Sequence, residues 1–377
     1  MKRMLIINPG STSTKVAVYE GKQGCVKEVT SKTIRHEDSE LKAFKGKPVI
    51  LQEEYRTQLI ITFLKDSGIE LETLDAIAGR GGFVPVQNFQ SGVFAINKDM
   101  IHDLKTRPLN EHPCNLGAIL AQKIATVIEQ KSSKTIPSVI MDPVVVDEMM
   151  DISRISGLKE IELKSFFHCL NQKAVSRRFA RKVERNYEDL NLIIAHMGGG
   201  ISVSAHRKGK VIDTNNAMNG LGPFSPERTG GVDTRALIDL CFSGKYSKEQ
   251  LCLMNVGEGG LFSYLGTSDA RKVEKLVESG DKQAKLVYQA MAYQIAKAVA
   301  AYAASFLPDD GKIDAILLTG GLAYDRNYLI PWITARVNKI APVEVFPGED
   351  EILALAEGLL DVLEERQTLK IYSSPQG

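Results

Sequence analysis

Short apolar runs, each closed by small or polar residues, recur along this chain and set out its plan. Leu192–Ser204, L-I-I-A-H-M-G-G-G-I-S-V-S, is the clearest. An apolar run ends at His196, the glycines Gly198, Gly199 and Gly200 follow, and a run of alternating apolar and polar residues begins. The pattern predicts a β-hairpin with an open turn. Met4–Tyr19 repeats it: an apolar run reaching Asn8, then Pro9-Gly10, the hydroxyls Ser11, Thr12, Ser13 and Thr14, Lys15, and an alternating run. Such turns let a ligand approach the backbone closely, and successive N–H groups can cradle an anion. The plainer alternative is a flexible or merely polar hairpin tip.

Cys25–Ile34 and Lys210–Thr214 follow the two hairpins as candidate third strands. Apolar stripes at helical spacing predict helices over Glu53–Ser67, Leu116–Ile128 and Lys164–Arg185. Asp281–Leu307 reads as a long, alanine-rich buried helix, and Ile352–Glu365 as the last helix. Short strands are predicted at Leu74–Ala78, Phe89–Ile96, Ser138–Met141, Ala315–Leu318 and Val343–Phe346. Each half thus runs three antiparallel strands, a helix, a strand, a helix and a strand. The expectation is an α/β fold built by internal duplication, with a mixed five-stranded sheet flanked by helices in each domain and a cleft between them. The expected domains are 1–155 with the returning segment 354–377, and 156–353.

The 377 residues suffice for two such domains, and a formal net charge of +1 gives no reason to expect nucleic acid or an anionic membrane as partner. Five scattered cysteines without a C-x-x-C pair indicate neither a disulfide framework nor a zinc site. With no signal-like or membrane-length apolar run, the expectation is a soluble cytoplasmic protein.

The candidate chemistry lies at strand ends. Arg80 stands among glycines with Gly82 close by, where open α/β sheets bind ligands, and a guanidinium grips carboxylate or phosphate. Asp142 closes a strand, either as partner of an arginine or metal-bound water or as a plain turn residue. His112 precedes a helix and either faces a ligand or caps it; His168 falls in the first turn of another predicted helix. Asn219–Arg235 is a long Gly- and Pro-rich loop carrying Arg228, and Gly320-Gly321 ends a further strand. Glu349, Asp350 and Glu351 open the last helix and suit its dipole, and one of them could reach a metal.

Taken together, N-P-G-S-T-S-T-K (8–15), S-F-F-H (165–168), A-H-M-G-G-G (195–200), P-E-R-T-G-G-V-D (226–233) and L-T-G-G-L (318–322) resemble, in order, the motifs of the acetate kinase family of carboxylate kinases, within the actin/hexokinase/heat-shock ATPase superfamily. M-N-G-L-G-P-F-S-P-E-R-T-G and P-G-E-D-E-I-L-A-L-A-E-G resemble butyrate kinases more than acetate kinases. The resemblance implies reversible, Mg²⁺-dependent transfer of the ATP γ-phosphoryl group to butyrate or a branched short-chain fatty acid, by direct in-line displacement. It implies Arg80, Arg228, His168 and Asp142 as catalytic residues. Ser11, Thr12, Lys15, His196, Gly198, Gly199, Gly200, Asp269, Arg271, Gly320 and Gly321 would bind nucleotide. Glu351, with Asn8, would reach Mg²⁺ through water, and Gly82, His112 and Phe167 would line the acyl pocket. A homo-oligomer is also implied. L-A-Y-D-R after Gly321 departs from the family's I-G-E-N and leaves Tyr324 and Asp325 as alternatives beside the nucleoside. The rivals are an acetate or propionate kinase, a non-catalytic regulatory ATPase of the superfamily, and a structural protein with a vestigial cleft.

Overall fold

The computed structural model describes residues 1–307 and 311–374. They divide into two compact units, Met1–Val146 with Asp350–Gly377, and Asp147–Glu349. The strands in chain order are β1 (Lys2–Pro9), β2 (Ser13–Lys22), β3 (Cys25–Arg35), β4 (Ala76–Arg80), β5 (Val93–Ala95), β6 (Ser138–Met141), β7 (Asn191–Met197), β8 (Ile201–Arg207), β9 (Lys210–Thr214), β10 (Ala315–Gly320), β11 (Val343–Pro347) and β12 (Leu369–Ile371).

The first unit holds a seven-stranded sheet in the order β12-β5-β6-β4-β1-β2-β3, and the second a five-stranded sheet in the order β11-β10-β7-β8-β9. With β5 and β12 set aside, the two orders coincide. In each, an antiparallel hairpin (β1–β2, β7–β8) carries a third strand on one side and two parallel strands on the other. The duplication expected from the sequence is therefore present, and the first sheet is wider than expected by two three-residue strands. The predicted strand Phe89–Ile96 contracts to β5.

The central strands read as unbroken apolar runs because both sheet faces are covered. In the second unit Ile193, Ala195 and Met197 pack in the core that includes helix Lys282–Ala303, whereas Leu192 and Ile194 pack with Val175 and Phe179 of helix Cys169–Lys182. β8 alternates Ser202, Ser204 and His206 with apolar residues, yet these three polar side chains are fully buried. Their face carries a hydrogen-bonded network instead of solvent.

Tertiary contacts override local pattern at several helices. The helix expected from Lys164 begins at Cys169, since the Phe166 carbonyl accepts a bond from the Ala217 N–H, so His168 is the N-cap instead of a first-turn residue. Helix Lys282–Ala303 buries only one face, with Leu286 and Tyr293 more than half exposed. Helix Lys98–Thr106, capped by the Asn97 side chain, lies in a segment that reads as merely polar. Among the described residues, no helix is long and apolar enough to cross a membrane.

Candidate active site

In the first unit the β1–β2 hairpin presents Ser11, Thr12 and Lys15 to solvent, while Thr14 is buried. What holds this turn is Arg56, a fully buried cation on helix Glu53–Asp66. Its Nη1 donates to the Gly10 carbonyl at 2.9 Å and to Thr14 Oγ1 at 2.9 Å, and its Nε and Nη2 donate to Gln52 Oε1. His36 Nε2 meets the same threonine hydroxyl at 2.9 Å. Burial, reinforced by the Arg56 charge, lowers the His36 pKa to about 4, so the imidazole is neutral. The sequence reading missed Arg56. Its signal was a cation in helical register with Ile60, Phe63 and Leu64, the apolar stripe of its helix.

At the end of β4, Arg80 pairs through Nη1 with Glu351 Oε2, which also accepts from Asn8 Nδ2 at 2.7 Å. Three residues far apart in sequence thus converge, because β1 and β4 are parallel neighbours and Glu351 opens helix Glu351–Leu363. Arg80 keeps about a third of its side chain exposed. Its other guanidinium N–H groups give it capacity for an anion beyond Glu351. The glycines after it do not leave a void. A Cβ at Gly81 would meet Pro143 Cα at 2.9 Å, and one at Gly82 would meet Asn115 Oδ1 at 2.6 Å. The volume that a side chain would take at either glycine is filled by the protein's own chain.

β6 pairs Met141 with Arg80, which sets buried Asp142 at the neighbouring strand end. Its Oδ1 accepts from the Gly92 N–H at 2.7 Å and its own N–H donates to the Gly92 carbonyl at 3.0 Å. Asp142 therefore braces the loop before β5. His112 caps the turn Pro113–Asn115: its Nδ1 accepts from the Cys114 N–H, and its ring meets Phe83 edge-on. Burial and the Arg80 charge lower its pKa.

In the second unit His168 and His196 stack face to face, with ring centroids 3.7 Å apart and planes 8° from parallel. Asn171 Nδ2 lies 2.8 Å from His196 Nδ1 and 3.2 Å from Thr319 Oγ1, whose hydroxyl donates to the Gly348 carbonyl. A carbonyl only accepts, so this threonine accepts from Asn171, and the same amide donates to His196 Nδ1. The His196 proton then sits on Nε2, which lies 3.1 Å from Glu349 Oε2 without hydrogen-bond alignment. Phe167, next to His168 in sequence, is buried.

The glycine turn packs on the loop that carries Arg228. Ser225 Oγ donates to the Gly199 carbonyl, and Arg228 Nη1 donates to the Ala217 carbonyl. None of Gly198, Gly199 or Gly200 needs a left-handed backbone. What demands glycine is space: a Cβ at Gly200 would lie 2.6 Å from Arg228 Cζ, whereas one at Gly199 would meet only the Glu227 carboxylate end at 3.1 Å. Among the described residues, Arg228 Nε is buried with no hydrogen-bond partner, and burial lowers its pKa. An unpartnered buried guanidinium N–H is rare in a folded protein, because each such group carries a desolvation cost with no bond to offset it.

Gly320, at φ +90°, closes on Met197, and Gly321 opens a turn where an added Cβ would meet no described atom within 4 Å. Asp325 accepts from Tyr288 Oη and from the N–H groups of Asn327, Tyr328 and Leu329, so it is a buried cap. Tyr324 is the exposed member of the two alternatives. Asp269 caps helix Ala270–Glu278 and pairs with exposed Arg271.

Among the described residues, no group of three or more His, Cys, Asp or Glu is arranged to hold a metal ion. One carboxylate, Glu351, beside the Asn8 amide suits Mg²⁺, which keeps several waters and takes its remaining ligands from substrate phosphates.

The sequence profile of the acetokinase family matches residues 133–330. Acetate kinase from Porphyromonas gingivalis superposes with a TM-score of 0.74 at 20% identity, covering 96% of this chain and 100% of that one. A propionate kinase from Francisella tularensis gives 0.69 at 21% identity over 95% and 99%. Acetate kinase from Entamoeba histolytica gives 0.71 at 16% over 96% and 100%. The duplicated two-domain fold is that of these proteins, with the actin-like plan anticipated from the hairpin repeat. The chain belongs to the acetokinase family of carboxylate kinases.

Proposed function

We propose that this chain is a butyrate kinase, transferring the ATP γ-phosphoryl group reversibly to butyrate or a branched short-chain fatty acid to give the acyl phosphate and ADP. A carboxylate oxygen attacks γ-phosphorus as the bond to the ADP oxygen breaks, and no proton needs to be removed from the acceptor. The difficulty is to bring one anion to another, so catalysis rests on positioning and on donors around the transferred group.

The observation that carries this reading is the reserved capacity of the two arginines. Arg80 keeps about a third of its side chain exposed beside Glu351, and Arg228 holds a buried Nε, unpartnered among the described residues, against the glycine turn. In this reading Arg80 binds the acceptor carboxylate and Arg228 the migrating phosphoryl group. His168 donates to that group, while His196, Gly198–Gly200 and the turn Ser11–Lys15 hold the ATP phosphates. Gly320-Gly321 and the Asp269–Arg271 pair take the nucleoside side. Glu351 and Asn8 would hold Mg²⁺ through water, and the ion would neutralise phosphate charge. Asp142, next to the residue that pairs with Arg80, would orient an arginine or hold metal-bound water. The preference for four carbons rests on the butyrate kinase-like segments at 218–230 and 347–358, which carry Arg228 and Glu351. The filled space at Gly81 and Gly82 lends it no support. The setting in this reading is the cytoplasm, where the free thiols of all five cysteines are at home, and the protein is a homo-oligomer.

The test traps acyl phosphate with hydroxylamine in the presence of ATP and Mg²⁺, comparing kcat/KM for acetate, propionate, butyrate and isobutyrate. Butyrate or isobutyrate should lead; a clear acetate preference refutes the substrate, and absence of trapped product refutes the kinase reading. Arg80→Ala and Arg228→Ala should each lose roughly 10²-fold in kcat, the scale of one transition-state donor. Near-normal turnover in either removes its role.

A further inference from the structure

Behind His168 runs a buried chain of polar side chains whose direction can be read group by group. Gln172 Nε2 lies 3.2 Å from the Ser202 carbonyl and 2.9 Å from Ser202 Oγ. The carbonyl can only accept, so the amide nitrogen faces Ser202 and Gln172 Oε1 faces the other way. There it lies 2.9 Å from His206 Nε2. That ring is fully buried, which drives its pKa well below the usual histidine value and leaves it neutral. Its single proton must then be on Nε2 to meet the amide oxygen, and its Nδ1 accepts from Tyr187 Oη at 2.7 Å. Ser202 Oγ already accepts from Gln172 and, at 3.3 Å, from the His168 backbone N–H. Both lone pairs are occupied, so its own hydrogen donates to His168 Nδ1, 2.8 Å away.

We infer that Tyr187, His206, Gln172 and Ser202 form a one-way hydrogen-bond chain that fixes neutral His168 as the tautomer protonated on Nε2. The inference rests on the role given to His168 above and explains how that role is met: the imidazole offers an N–H donor to an anion without carrying a charge. His196 is held in the same tautomer through Asn171 and Thr319, so both stacked rings carry their protons on Nε2. The four residues are positioning residues. They act through His168, and the sequence placed two of them, Ser202 and His206, on a strand face that alternation alone assigns to solvent.

The experiment reads the tautomer directly, by nitrogen NMR of the ¹⁵N-histidine-labelled full chain at pH 8, with His168→Gln used to assign the signal. His168 should show a pyridine-type Nδ1 and a pyrrole-type Nε2. A protonated Nδ1 overturns the inference, whatever the activity. In Ser202→Ala the two tautomers should mix, and kcat should fall roughly two- to tenfold, as the donor is present in only a fraction of molecules. KM for ATP should hold, and Ser202→Thr should restore both signal and rate. A Ser202→Ala variant that keeps a single Nε2-protonated signal shows that the chain does not set the tautomer. If His168→Ala retains full kcat while the wild-type signal is as expected, the role of His168 fails and the hydrogen-bond chain stands.

Discussion

Replacing Gly200 by alanine perturbs the proposed machinery by a single methyl group, and the structure gives the size of the effect. The new Cβ would lie 2.6 Å from Arg228 Cζ and 3.2 Å from its Nε. Carbon atoms in contact prefer about 3.5 Å or more, so the overlap is about 0.9 Å. The backbone on either side cannot yield, since the turn is closed by the Gly198 N–H on the Gly200 carbonyl and docked through Ser225 on Gly199. Arg228 is only partly buried and can move. The guanidinium therefore shifts by on the order of an ångström and weakens its bond to the Ala217 carbonyl. A misplacement of about 1 Å at a group acting on the reacting atoms can cost 10²-fold in rate, close to 2.7 kcal/mol of activation free energy. Stability should fall far less, by about 1 kcal/mol, because a flexible side-chain end absorbs the clash. Gly199→Ala is the control, as its Cβ meets only the carboxylate at the far end of the Glu227 side chain. Steady-state kinetics with a coupled ADP assay, beside thermal melts of the same samples, separate the two effects. Gly200→Ala with wild-type kcat, or with a loss matched by Gly199→Ala, refutes the argument that the glycine makes room for Arg228. If bulk at Gly199 or Gly200 acts on ATP affinity alone, both variants show a raised KM for ATP instead.

Two further outcomes follow from buried groups. Arg56→Met leaves the Gly10 carbonyl, Thr14 Oγ1 and Gln52 Oε1 without their donor, and should cost about 3 kcal/mol in urea unfolding while raising KM for ATP; a loss under about 1 kcal/mol with unchanged KM means the turn does not depend on it. Glu274, partly buried and hydrogen-bonded to Asp325, has its pKa raised to about 7 by burial and then by the Asp325 charge. The folded state therefore holds a proton that the unfolded chain releases near pH 4.5, and stability from this group is full below that pH and lost as pH rises to 7. Glu274→Gln should match wild type at pH 4 and exceed it by about 1–2 kcal/mol at pH 8, the figure being reduced for partial exposure; parallel stability curves for the two proteins from pH 4 to 8 exclude the pairing.

Hydrophobic and polar order along the chain was enough to reveal the duplicated plan, because a hairpin with a small-residue turn is local chemistry and occurs twice. It also located the residues at strand ends, where Arg80, His196 and Gly320 lie, since a strand's end is written in the sequence. Pairing was not legible. That Glu351 closes on Arg80 and Asn8 follows from the crossing of β1, β4 and the last helix, not from any spacing. The same holds for Gly200, whose reason is a guanidinium brought by a loop elsewhere in the chain, and for Gly81 and Gly82, whose missing side chains make way for Pro143 and Asn115 instead of substrate. Burial on both faces of β8 turned an alternation that signals solvent into a polar network beneath His168. Sequence periodicity tells which side chains share a face; only the tertiary structure decides what that face meets, and so whether a polar residue is hydrated, buried as a cap, or aimed at a reacting group.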